Sequence, residues 1–107
     1  MKIQLLYPFT FEGEKITECE VKRRVKVKDR AQAEAYSKSK YGEVVSDAIS
    51  LYLVSKVCTF NSKEIPPDFL EENLDYEDFA RIWEAVILFR PGSHDKAQNT
   101  QTGDRNP

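Results

Sequence analysis

Between Thr17 and Asp29 the side chains change character with a period of two. Thr17, Cys19, Val21, Val25 and Val27 occupy the odd positions, interrupted only by Arg23, while Glu18, Glu20, Lys22, Arg24, Lys26 and Lys28 fill the even ones. A pleated strand sends successive side chains to opposite faces, so this pattern describes a strand with one dry face and one wet face. The dry face has to lie against apolar cover, and the remainder of the chain offers that cover as helices. The expected architecture is α+β: an N-terminal antiparallel β-hairpin packed on a bundle of about three helices. A single domain over residues 1–90 and a disordered tail over 91–107 complete it.

The hairpin partner is a strand over Lys2–Leu6 that ends at Tyr7-Pro8, with its tip in Phe11–Lys15. Gly13 supplies the left-handed backbone position there, and Pro8, which cannot donate to a ladder, argues for a loop longer than two residues. Asp29 reads as the N-cap of a first helix over about Arg30–Lys40. Its alanines (Ala31, Ala33, Ala35) allow close packing, and Tyr36 is its main anchor. Gly42 stops it. A second helix, about Glu43–Cys58, is apolar around most of its circumference and should form the centre of the core. Pro66-Pro67 breaks the chain, and a short helical turn over Asp68–Glu72 follows. Asp75 caps a last helix, about Tyr76–Arg90. There Tyr76, Phe79, Ala80, Trp83, Val86 and Ile87 fall on one expected buried stripe.

Several function classes find little support. With 107 residues and a net charge of −2, the chain has no global bias toward nucleic acid or anionic lipid. No apolar run reaches the length of a membrane span and no signal-peptide core is visible, so a cytoplasmic location is expected. Cys19 and Cys58 are too few for a disulfide scaffold or a four-ligand zinc site and read as buried, reduced hydrophobes. The single histidine, His94, stands in the polar tail, where nothing holds a partner for nucleophilic catalysis. The glycines are scattered and cradle no phosphate. Acidic residues cluster at helix ends, where the macrodipole accounts for them without a metal. No catalytic, cofactor-binding or metal-binding residue is nominated, and the chain is not expected to be an enzyme.

Two surface features carry functional information. The run Lys22-Arg23-Arg24, Lys26, Lys28 could contact phosphates, which gives a small nucleic-acid-binding regulator as the rival reading. Lysine-rich strand edges more often serve to deter aggregation. The last helix holds more apolar side chains than one small core can cover: Ile82 and Phe89 lie on a flank beside the main stripe, and Leu88 projects elsewhere. Exposed apolar flanks of this kind mark protein partners or self-association. Ile82, Leu88 and Phe89 are therefore the candidate partner-binding residues.

The order of features resembles a known family. A hairpin, then Val21-Lys22-Arg23-Arg24 with Asp29 opening a helix, is similar to the arginine-arginine-proline-threonine … aspartate signature of the tail assembly chaperones of Mu-like contractile-tailed phages. Val25 stands where the family tends to have proline. The later Lys63-Glu64-Ile65 turn and Leu74-Asp75-Tyr76 leading into a helix that ends at Phe89 resemble the same family, over about residues 3 to 90. Signature residues carried over by position are Arg23, Arg24, Asp29, Asp75 and Tyr76. The resemblance implies a non-enzymatic, prophage-encoded protein in the bacterial cytoplasm that binds the long, mostly helical tape measure protein during tail morphogenesis. No cofactor is implied. A frameshifted, extended product is common in the family, and the polar tail is where it would diverge.

Overall fold

The computed structural model describes residues 1–91, so the expected disordered tail and His94 lie outside the described residues. Seven elements follow in order: β1 (Lys2–Phe11), β2 (Glu14–Val21), α1 (Val27–Tyr41), α2 (Ser46–Val57), β3 (Cys58–Phe60), α3 (Pro67–Asn73) and α4 (Tyr76–Leu88). The strands form one antiparallel sheet in the order β1-β2-β3; α2, α3 and α4 pack against it through the main core, and α1 packs on α2. The fold is α+β, with the hairpin and helical cover that the alternation requires. The third strand differs from the expectation, in which Cys58 ends the apolar helix and a polar turn begins at Thr59.

β1 and β2 meet at a two-residue turn, Glu12-Gly13, with φ of 51° and 82°. Left-handed geometry at both central positions matches the right-handed twist of a hairpin, so the tight turn replaces the longer loop expected from Pro8. Pro8 is accommodated elsewhere. The ladder runs from Lys2↔Glu20 to Gln4↔Glu18, breaks, and resumes at Phe9↔Ile16. β1 therefore bulges across Leu5–Pro8, and the proline falls inside the bulge. The amides of Leu6 and Tyr7, released from the ladder, donate to the Asp78 carboxylate of α4 at 2.9 Å each.

β2 has a fault of its own. Ile16 and Cys19 are both buried although they differ in parity, so the strand changes faces between them. The consecutive amides of Thr17 and Glu18 donate to Asn61 Oδ1 at 3.1 and 3.2 Å, across that step. Asn61 occupies a left-handed turn beyond β3 (φ 50°), followed by Ser62 (φ 67°), where asparagine is favoured. Each strand irregularity is thus satisfied by one polar side chain from another element.

The alternation that suggested a strand to Lys28 stops being strand at Val21. Arg23 turns inward and forms two hydrogen bonds to the Asp29 carboxylate (2.7 and 3.1 Å), which bends the chain into α1. Asp29 is not the N-cap residue. It sits in the first turn and accepts from the Lys26 amide at 2.8 Å, closing the helix start from inside. Val27, expected on the dry face, is 89% exposed as a result. On α1, Asp29, Ala33 and Ser37 make the buried edge, and Ala31 and Ala35 face outward. Tyr36 packs on Tyr52 with ring centroids 5.2 Å apart.

The main core joins Leu5, Ile16, Cys19, Val21, Val54, Val57, Phe60, Ile65, Leu70, Ile82 and Val86. Both cysteines are buried and free, and a hydrogen bond to Cys58 together with burial pushes the Cys19 thiol far up. On α3, Tyr36 and Lys40 of α1 hold Asp68 at 2.9 and 2.7 Å, and Lys40 and Tyr41 also bond Glu71. Among the described residues no helix is long and apolar enough to cross a membrane.

Candidate partner-binding groove

α4 begins at an N-cap, Asp75, whose carboxylate accepts from the Glu77 amide at 2.9 Å, as the sequence indicates. The phase of its buried face differs from the expected stripe. Asp78, Ile82 and Val86 point to the sheet, with Phe79, Trp83, Ala85 and Phe89 partly buried beside them. Ala80 and Ile87 are exposed, and Tyr76 is 70% exposed. The cause is Asp78. Its carboxylate serves the two β1 amides and receives Arg81 Nη1 at 2.9 Å, so a charged residue faces the core and the helix rotates to place it.

That rotation corrects the nominated partner surface. Ile82 is completely buried and is a core residue. Phe89 is partly buried against the core, and its carbonyl accepts from Arg24 Nη1 at 3.0 Å. Leu88 is 60% exposed, as an apolar surplus requires, with Ile87 exposed beside it. The surplus therefore lies on a different side of α4 from the Ile82–Phe89 flank.

α1, α2 and α4 leave a groove that Ile87 lines and Leu88 does not. Arg24, Val25, Arg30, Leu53, Trp83, Val86 and Ile87 enclose one cavity of about 310 Å³. A second, of about 340 Å³, is enclosed by Arg30, Val44, Ser46, Ile49, Ser50, Leu53 and Trp83. Arg30, Leu53 and Trp83 line both, so the two depressions adjoin along these side chains. Ala33, Ile49 and Leu53 form a small apolar cluster against which Trp83, Tyr52 and Val25 pack. Exposed Ile87 lines the first depression and exposed Val44 the second.

The family signature residues do not converge on one site. Arg23 and Asp29 are consumed in an ion pair, with Asp29 buried and its carboxyl held down at about 2 by the Arg23 guanidinium. Arg24 lines the groove, while Asp75 and Tyr76 stand at the far end of α4. The basic run does not make one cationic strand face either. Lys22 follows the end of β2 and pairs with Glu20 at 3.6 Å, Arg23 is inward, and Lys26 and Lys28 belong to the start of α1. Among the described residues no group of three or more His, Cys, Asp or Glu side chains is placed to hold a metal ion. Trp83, expected on the buried stripe, packs partly buried against both apolar clusters and also lines the groove, which the stripe did not indicate. The signal that could have exposed it is Asp78, a short carboxylate four residues before Ile82, whose burial fixes the helix phase.

No family model matches the chain, and no curated protein or solved structure matches it.

Proposed function

We propose that this protein is a tail assembly chaperone of a Mu-like contractile-tailed phage or prophage. In this reading it is non-enzymatic and holds amphipathic helical segments of the tape measure protein during tail morphogenesis in the bacterial cytoplasm. The observation that carries the reading is the pair of adjoining depressions between α1, α2 and α4, both lined by Leu53 and the partly exposed Trp83. Helix-in-groove recognition needs an apolar trough into which a stripe of side chains can be laid, and preformed helical walls supply it. Aromatic floors are frequent energetic centres of such contacts. The arginine pair, Asp29, and the Leu74-Asp75-Tyr76 start of α4 add the resemblance described above.

Co-expression with the tape measure protein tests the reading. Replacing the two exposed residues, Val44→Ser with Ile87→Ser, should abolish co-purification while leaving the melting temperature within a few degrees of the parent, since neither side chain belongs to the core. Undiminished co-purification of a folded double variant would refute the assignment of this groove.

A further inference from the structure

We propose, building on the reading of the groove as a client site, that it selects helical segments whose apolar stripe is flanked by carboxylates, with Arg24 and Arg30 setting that preference. The groove's charge is one-sided. Among the described residues the only ionic side chains lining it are Arg24 and Arg30, and no aspartate or glutamate does. Asp29 is buried and bound to Arg23, so it presents no negative charge to an incoming segment, and Glu34, the carboxylate that pairs with Arg30, is not among the lining residues. Arg30 pairs through Nε with Glu34 at 3.2 Å, and Arg24 bonds the Phe89 carbonyl through Nη1. A guanidinium carries five donors, so both residues keep N–H groups for a partner's carboxylate. The start of α1, which contains Arg30, adds the positive end of a helix dipole.

The occupant that fits is helical. An extended segment over this apolar floor would leave its backbone amides and carbonyls unpaired, because the described residues that line the groove come from helices and the loops beside them and none from a strand. A helix satisfies its own backbone and offers a stripe for Trp83 and Leu53, with its flanks reaching the arginines. Residues 92–107 contain Ala97 as their single apolar side chain and have no such stripe to offer.

Trp83 is the chain's only tryptophan, so its emission reports occupancy of the groove directly. Two synthetic helical peptides sharing one leucine stripe, one flanked by glutamates and the other by lysines, are titrated into the full chain at low salt. The glutamate peptide should bind about tenfold more tightly, with the difference shrinking as salt is added. Arg24→Gln with Arg30→Gln should erase the preference, and Arg24→Glu with Arg30→Glu should reverse it. Equal affinities with a clear change in Trp83 emission would overturn the charge preference and leave the client reading standing. No emission change from either peptide on the folded protein would overturn both. An emission shift that depends on protein concentration alone would overturn the proposal by placing a second copy in the groove.

Discussion

Asp29 is a carboxylate with almost no water around it, and Arg23 is why it can stay ionised there. The pair lies between the end of β2 and the first turn of α1, so it fixes the angle at which the helix leaves the sheet. The carboxyl is held near 2 rather than at its ordinary 3.8, chiefly by the Arg23 hydrogen bond. A depressed carboxyl contributes stability in full above its unfolded value and loses it as pH falls toward the folded one. Arg23→Ala should therefore cost about 1–3 kcal/mol at neutral pH, as the partner of a buried charge is removed. Urea denaturation should show the gap between parent and variant closing between about pH 4 and pH 2. A gap independent of pH would mean that the arginine acts by packing alone. Arg23 was visible in the sequence as the one charged interruption of an apolar face. Its partner was not, since a separation of six residues implies contact only once the chain has bent.

At the scale of elements, the hairpin, the apolar α2 and the Asp75 start of α4 were legible because each rests on local chemistry: turn residues, hydrophobic density, a capping carboxylate. What periodicity could not supply was the phase of α4 or the length of β2. The α4 phase is set by the bond from Asp78 to the bulged β1 backbone, a contact across more than seventy residues. The end of β2 is set by an ion pair. Hydrophobic counting saw neither, so it put Ile87 inside and Ile82 outside. The consequence is measurable. Ile82→Ser should lower stability by about 3 kcal/mol or more, through a lost buried side chain and an added hydroxyl, and Leu88→Ser should change it by less than about 0.5 kcal/mol. Equal effects in thermal melts would contradict this orientation of the helix.

For the molecule as a whole, the sheet and its bulges act as a scaffold, and the groove opens between helices that the core holds in place. β1 reaches α4 through Asp78, and the Arg23–Asp29 pair seats α1, so the walls of the groove are positioned by polar contacts and its floor by apolar ones. The candidate site was only partly readable beforehand: an apolar surplus on the last helix was seen, but its location depended on the phase just described. Hydrogen exchange on the complex with the tape measure protein tests the groove most directly. Slowed exchange confined to residues 24–33, 44–53 and 83–89, with the β1–β2 hairpin unchanged, is the expected result. Protection centred on the hairpin or on α3, with those three segments exchanging as in the free protein, would contradict it.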